Sequence, residues 1–447
     1  MEDLNEYSEL HQFNETCLSS PQQLSALKKV SDSAHVKKVT SGFDRPLSET
    51  DFKDNAVQLE KSVVYLQSEL QKLVDSGAVQ NKTKLDITVQ SFLVSSLIVC
   101  GEHSTEELWT SCCTVKSAGS ILNHLCVLFS LDTQNVLGGL ESKWKFSVCK
   151  LLFDALKPKL RKATWKQYPA SFTCYRWILL NAQAQQISEN FEEFLHPALI
   201  AVDDYEMCNQ VKGIHCLSRI ISNVTRTDLC HLGYDDVIYG ALEHLLYVKE
   251  PDIIMCLVPC LSQFLQKVER GYTNKEDALQ FTRYDRALKI FLGNMEMEQY
   301  IMRRKVYVNV LPLFLDSMGL PMLRWSKRLL RIFEDYLLVD DGSAGFSTGK
   351  ALEAVKVYLL HAWPVVPKNM DALLEYLLKL LLEMTDLDPS RKISSETLET
   401  ILCLIEDCLH LIVKTSNVRV KELCSGINSA SFNSKFDEII NRILLPG

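Results

Sequence analysis

Apolar residues recur at helical spacing from Phe52 almost to the end of the chain, and this pattern restricts the fold more than any other feature. In the first such segment, Leu66, Leu70 and Leu73 fall on one helical face, and Gly77 follows as a plausible C-cap. No alternation of apolar and polar residues, the mark of a strand, extends over a comparable length. The sequence therefore predicts an all-α protein. Further helices are expected at residues 86–100, 106–130, 143–156, 170–186, 191–201, 205–224, 233–247, 250–268, 276–292, 298–317, 321–338, 348–362, 369–385, 394–414 and 416–426.

The spacing of these helices suggests how they are arranged. Helices expected to start near residues 205 and 233 are followed by pairs near 250 and 276 and near 298 and 321. Corresponding starts are about 45 residues apart, and the helical pairs of HEAT and armadillo proteins repeat every ~40–47 residues. We therefore predict a HEAT/armadillo-like α-solenoid of antiparallel helical pairs. An irregular bundle of helices of similar length is the alternative.

Composition changes along the chain and indicates three regions. Residues 1–50 are rich in Ser, Asp, Glu and Lys and poor in aromatics, so we expect a disordered N-terminal segment that buries little surface. Residues 51–200 are predicted to form an N-terminal helical region, and residues 201–447 a C-terminal HEAT-like helical array. Within the second region, the part from residue 143 onward fits either the array or a separate bundle.

Charge and cysteine content bear on partners and location. With 48 Lys and Arg against 56 Asp and Glu, the net charge is −8, and we expect no nucleic-acid partner. The first residues lack the basic and apolar regions of a secretory signal, so the 15 cysteines are expected to be reduced and mostly buried. No uncharged apolar run is long enough to cross a membrane. We expect a cytoplasmic protein, with the nucleus as a second location.

One helix, DDYEMCNQVKGIHCLSRIISNV at residues 203–224, has an apolar arc wider than the roughly 100° of a surface helix. Such a helix must be covered on two sides. Gly213 costs about 1 kcal/mol relative to alanine in a helix, which indicates that a neighbouring backbone comes close there. Lys212, His215 and Arg219 lie together on the opposite side, and we predict that they form an outer or partner-facing edge.

The cysteines and histidine of this helix do not predict a metal site. Two ligands on one helix are expected at i and i+4. Cys208 and His215 share a direction but are about 10 Å apart along the axis. His215 and Cys216 are adjacent and diverge. We predict neither a bound metal nor a cofactor, and we expect the cysteines to act as small packing residues.

The segment Gly345–Gly349 matches the GxSxG pattern of a nucleophile elbow. That motif needs a strand before the serine, and here a helix precedes it. We predict an interhelical loop in which Ser347 or Thr348 caps the next helix. A phosphate-binding loop is disfavoured as well, because Ala344 and Ala351 occupy the positions of its first glycine and its final serine or threonine. No catalytic residue is predicted.

Two groups of basic residues are candidates for partner binding. The first surrounds Trp165, from Lys157 to Lys166, and is typical of a solvated surface between helices. The second lies on consecutive predicted helices and is a candidate for one basic ridge that binds an acidic protein surface, with a solvated face as the alternative. Its members in the predicted interface are Arg303, Arg304, Lys327, Arg328 and Arg331.

Several ordered segments resemble one known family. They are NQVKGIHCL, VIYGALEHLLY, MRRKVYVNVLPLFLDSMGL, HAWPVV and DCLHLIVKTSNVRVKEL. Over roughly residues 170–425 the chain is similar to the Tti-two family, whose members are subunits of the Triple T complex. The resemblance implies an α-solenoid scaffold without catalytic residues that binds Tti-one and Tel-two subunits. It further implies work with the heat-shock protein 90 machinery to stabilise phosphatidylinositol-3-kinase-related kinases, and thereby support of DNA-damage checkpoint and growth signalling.

The sequence leaves two other classes of function open. A HEAT-repeat transport or trafficking scaffold would share every physical feature and differ only in its partners. An enzyme built on Ser347 or on the cysteines and histidine of residues 203–224 is the third hypothesis. If the chain is a scaffold of the Triple T complex, we expect a Tti-one-like partner to bind mainly through the C-terminal array.

Overall fold

A computed structural model of the protein describes residues 21–40, 45–77, 87–129, 137, 147–269, 280–339, 342, 344–363, 366–386, 393–415 and 434–444. Within them the regular structure consists of α-helices and short 3₁₀ turns, with no strand. The prediction of an all-α protein is therefore confirmed. The predicted helix at 416–426 lies outside the described residues. The chain divides into two compact units, Met1–Asp228 and Leu229–Gly447.

The first unit is built around one apolar helix. Its helices are α1 (Pro21–Ser33), α2 (Lys53–Asp75), α3 (Ile87–Glu102), α4 (Cys112–Phe129), α5 (Val148–Leu156), α6 (Pro169–Asn181), α7 (Ala184–Glu189), α8 (Phe191–Val202) and α9 (Met207–Asn223). Helix α3 has no charged residue before Glu102, and 11 of its 16 residues are buried. It packs against α1, α4, α5 and α6, so it forms the centre of this unit.

Helix α1 lies inside the segment expected to be disordered. It buries Leu24, Leu27 and Val30, which follow one another at helical spacing, and it packs on α2 and α3. The structure thus differs from the expectation over residues 21–33, because this short apolar stripe finds a covering surface. The remainder of that expectation at residues 1–20 and 41–44 lies outside the described residues.

Helix α4 is long and apolar enough, by length and composition, to cross a membrane. Its apolar residues include Ile121, Leu125 and Phe129, all fully buried, and the helix packs against α2 and α3. A core helix passes the same test of length and composition, and the packing of α4 is that of a core helix.

The second unit is a stack of helical pairs in two layers. After α10 (Arg226–Cys230), which spans the division between the units, its helices are α11 (Tyr234–Leu245), α12 (Pro251–Val268), α13 (Arg283–Met297), α14 (Ile301–Met318), α15 (Ser326–Leu338), α16 (Phe346–His361), α17 (Val366–Thr385), α18 (Ser395–Thr415) and α19 (Ser434–Leu444). Helices α12, α14, α16 and α18 pack side by side in one layer, and α13, α15 and α17 form the other. Within each pair the two helices contact each other, as expected for stacked pairs: α11 contacts α12, α13 contacts α14, α15 contacts α16, and α17 contacts α18.

The boundary predicted at residue 200 falls within α8. Helix α9 does not start a new array there, because it packs against α6, α7 and α8 of the first unit. Gly213 explains this placement: a Cβ atom at this position would lie 2.7 Å from the backbone nitrogen of Val202 and 3.0 Å from the carbonyl carbon of Ala201. The predicted close approach at Gly213 is confirmed, and the compact unit that includes α9 ends at Asp228.

Candidate protein-interaction surface

The charged edge predicted on α9 is largely occupied by contacts within the first unit. Lys212 donates to both carboxylate oxygens of Glu107, at 2.8 and 2.9 Å. Arg219 donates to the carbonyl of Ala182 at 3.3 Å. His215 is exposed, but partial burial of its ring and the nearby Arg176 lower its pKa. Lys212 and Arg219 therefore hold α9 to its neighbours, and His215 is the most accessible of the three.

The predicted basic ridge is not continuous. Arg304 is only 8% exposed, pairs with Asp335 at 2.8 Å, and lies 3.9 Å from the centroid of the Tyr336 ring. Arg304 therefore adds nothing to an exposed ridge. The reason is angular: consecutive residues of a helix point about 100° apart, so Arg304 faces inward where Arg303 does not.

The other ridge residues differ in whether their charge is paired with a carboxylate. Arg328 makes two bonds of 2.8 Å to the carboxylate of Glu296, which is a bidentate pair. Arg303 lies 3.9 Å from Glu250. Lys327 and Arg331 are exposed. Their role in binding a partner stays a prediction, now without Arg304.

The lysines around Trp165 lie against acidic residues of the first unit. Lys166 pairs with Asp204 at 2.6 Å and approaches Glu206 at 3.4 Å. Burial opposes its charge, but Asp204 outweighs that effect and raises the pKa of Lys166. Trp165 is only 7% exposed, so its ring packs inside the unit and offers no stacking surface.

Two of the residues that first suggested chemistry, Cys216 and Ser347, are buried as packing residues, whereas Cys208 and His215 are exposed. Burial raises the pKa of Cys216 to about 12 and that of Cys256 to about 11, so both thiols stay protonated at neutral pH. Ser347 lies in the first turn of α16 and is 2% exposed. The predicted cap is wrong, because α16 starts at Phe346 and its N-cap is Gly345, whose φ of +88° favours glycine. The part of the chain that the structure describes contains no group of three or more His, Cys, Asp or Glu side chains suited to a metal ion.

One exposed apolar surface was missed by the sequence reasoning. It surrounds the short connection between α13 and α14 and consists of Met297, Tyr300 and Ile301, together with Tyr247 from the connection between α11 and α12. Met297 is 78% exposed and Tyr300 is 70% exposed, although both are large side chains. The available signal was the run MEMEQYIM, which puts apolar residues on both sides of a turn where polar residues are usual.

Two contacts bring these residues to one edge of the second unit. The side-chain amide of Asn294 donates to the carbonyl of Leu246 at 2.9 Å, next to Tyr247. The ion pair between Arg303 and Glu250 joins the first turn of α14 to the connection between α11 and α12. We call the four residues Tyr247, Met297, Tyr300 and Ile301 the methionine–tyrosine edge.

The methionine–tyrosine edge has the chemistry of a binding surface for a protein. Tyrosine, methionine and arginine are enriched in protein interfaces, and here the Arg303 guanidinium lies 5.3 Å from the centroid of the Tyr300 ring. A cluster of exposed apolar side chains beside paired charges is typical of an interface centre with a polar rim. The arrangement supplies binding contacts and no reacting group.

Comparison with known proteins identifies relatives by sequence. A family model described as the Tti2 family matches residues 138–340. The human protein named "TELO2-interacting protein 2" is 31% identical over 348 residues, which cover 76% of this chain and 67% of the human protein. The mouse protein of the same name is 29% identical and is covered over 66% of its length. The chain thus matches about two thirds of the length of each relative.

Solved structures are similar in fold. Kap95p, from a structure of its complex with RanGDP, matches 95% of this chain and 47% of its own with a TM-score of 0.56 and 11% identity. Importin beta matches 87% of this chain and 45% of its own with a TM-score of 0.53 and 12% identity. These matches establish the HEAT/armadillo-type helical solenoid, as the repeat spacing predicts. At such low identity they establish the fold alone.

Proposed function

Because this chain belongs to the Tti2 family, we propose that it is a scaffold subunit of the Triple T complex that assembles with Tti-one-like and Tel-two-like subunits. The observation that carries this proposal is the identity of 31% with the human "TELO2-interacting protein 2" over most of the chain. The helical solenoid supports it, since stacked helical pairs present long surfaces for protein partners. Neither the family nor this fold is an enzymatic type.

The cellular role proposed for the chain follows from the family. Together with its partner subunits it would connect the heat-shock protein 90 machinery to phosphatidylinositol-3-kinase-related kinases and keep those kinases stable. DNA-damage checkpoint and growth signalling would depend on it for that reason. We propose that it works in the cytoplasm and also in the nucleus.

Within the chain, the second unit supplies the surface that we assign to the Tti-one-like subunit. The methionine–tyrosine edge lies there, and all four of its residues fall in the span that the family model matches. When a partner removes exposed tyrosine and methionine side chains from water, the burial lowers the free energy of the complex and stabilises binding. The low-identity likeness to Kap95p and importin beta supports no such assignment to a transport partner.

Kinase abundance in cells tests the cellular role. We expect depletion of this protein to lower the amounts of phosphatidylinositol-3-kinase-related kinases, and re-expression of the full chain to restore them. A Met297→Glu/Tyr300→Glu variant should fail to restore them, because a desolvated charge at an interface centre weakens binding by roughly 30-fold or more. Quantitative immunoblotting of the kinases, with their transcripts measured in parallel, gives the readout.

The control is Val57→Glu, which adds a single glutamate at an exposed residue of the first unit, 67% accessible on α2. This control should restore the kinases as well as the native chain does. Kinase amounts that do not change on depletion would contradict the cellular role. Equal failure of the control and of the edge variant would contradict the assignment of the edge.

A further inference from the structure

A second exposed apolar surface follows the length of α14. Met302, Val306, Asn309 and Leu313 follow one another at intervals of four, three and four residues, so they share one face of the helix. Met302 is 66% exposed and Leu313 is 45% exposed, while the opposite face, with Val308 and Phe314, is buried. A helix that is apolar on both faces is normally covered on both.

The two neighbouring helices of the layer extend this surface. On one side, the amide of Asn309 on α14 reaches the sulfur of Met255 on α12 at 3.4 Å. On the other side, His361 on α16 lies 2.9 Å from Asp316 on α14. The second contact holds the end of α16 against α14, and Leu360, which precedes His361, is 53% exposed there.

We call this surface the α14 face. It comprises exposed or half-buried apolar residues of α12, α14 and α16 and one residue that follows α16, which are Met255, Met302, Val306, Leu313, Leu360 and Trp363. Trp363, just after the end of α16, is 61% exposed. The α14 face is distinct from the methionine–tyrosine edge, whose residues lie in or directly beside the connections between helices.

The surroundings of the α14 face carry an excess of negative charge. Helix α18, which packs on α16, exposes Glu396 and Glu399. Asp316 on α14 has a side chain that is 63% exposed. Lys305 on α14 offsets part of this charge, whereas Lys356 is bound to Asp407 at 2.7 Å and Lys350 is bound to Glu353 at 2.8 Å.

We propose that the α14 face binds an amphipathic helix of a protein partner, with an apolar side on the α14 face and lysine or arginine toward the surrounding carboxylates. Helix α14 has 18 residues and is about 27 Å long, so a partner helix of about five turns would cover it. A partner helix that binds in this way contacts the surface through apolar side chains that recur at helical spacing. The charge makes a second copy of this face or an anionic membrane unfavourable, since both would bring like charges together.

This inference rests on the proposed function and specifies that a protein partner supplies the helix that the α14 face binds. A binding assay with the purified full-length protein tests it. The probe is a fluorescent synthetic peptide of about 18 residues with leucines along one side and lysines along the other, measured by fluorescence anisotropy at about 0.15 M salt. The comparison peptide has glutamate in place of every lysine. We expect the lysine peptide to bind and the glutamate peptide not to bind.

Two variants locate the binding site. Leu313→Glu/Leu360→Glu should weaken binding of the lysine peptide by at least about ten-fold. Glu396→Lys/Glu399→Lys should also weaken this binding and should reduce its dependence on salt. Val57→Glu in the first unit should leave binding unchanged, and circular dichroism should show that every variant is folded. Equal binding of both peptides, no binding of either, or insensitivity to Leu313→Glu/Leu360→Glu would overturn the inference.

The same preparations separate this inference from the proposed function. If a purified Tti-one-like subunit binds the native chain while the lysine peptide does not, the helix-binding role of the α14 face is wrong and the scaffold function stands. If the peptide binds as expected but the Tti-one-like subunit does not, the α14 face binds a helix and the proposed function is wrong.

Discussion

At the residue scale, Gly213 shows how one missing side chain fixes the packing of a helix. Its absent Cβ leaves room for the main chain of Ala201 and Val202 at the end of α8. The sequence predicts that something approaches Gly213, because glycine is costly in the middle of a helix. It does not name the neighbour, since many helices of similar composition offer an equally apolar face. For the same reason the sequence does not show that α9 packs against α6, α7 and α8.

Substituting this glycine should destabilise the first unit. Gly213→Ala puts a methyl group 2.7 Å from the Val202 backbone nitrogen, so α8 and α9 must separate. We expect a loss of roughly 1–3 kcal/mol in the free energy of unfolding. Gly119→Ala, at an exposed position of α4, is the matched control, because its new Cβ meets nothing within 4 Å. The control should be neutral or stabilise by up to about 1 kcal/mol. Urea unfolding followed by circular dichroism measures both, and equal effects would refute the close contact.

At the element scale, Arg304 joins α14 to α15 instead of serving a partner. Besides its ion pair with Asp335, its guanidinium donates to the carbonyl of Glu298 at 3.4 Å. Three consecutive basic residues, at positions 303–305, looked like one charged surface in the sequence. A helix distributes neighbours around its axis, so only the structure shows which of the three is turned inward.

Removing this link should weaken the second unit far more than removing exposed charges does. We expect Arg304→Ala to lower the free energy of unfolding by about 2 kcal/mol, because it removes a partly buried ion pair and the stacking on Tyr336. Lys327→Ala and Arg331→Ala, on the exposed side of α15, should change it by less than about 0.5 kcal/mol. Chemical unfolding of the three variants compares them directly. An Arg304→Ala variant as stable as the other two would show that Arg304 does not hold the helices together.

At the scale of the whole molecule, local patterns predicted more than long-range ones. The all-α class and most helix positions follow from apolar spacing, and the stacking of helical pairs follows from the period of about 45 residues. The exposed apolar surfaces could not be predicted in this way. Leu313 and Phe314 look equally apolar in the sequence, yet the first is 45% exposed and the second is 1% exposed, because only one faces the neighbouring layer.

We propose that this solenoid is a scaffold in a complex with Tti-one-like and Tel-two-like subunits. Affinity purification of the tagged full-length protein from cells, followed by quantitative mass spectrometry, tests it most directly. We predict recovery of both subunits with the native chain and with Val57→Glu, and their loss with Met297→Glu/Tyr300→Glu. Recovery of nuclear transport receptors and their cargo without either subunit would contradict the claim and support the transport scaffold.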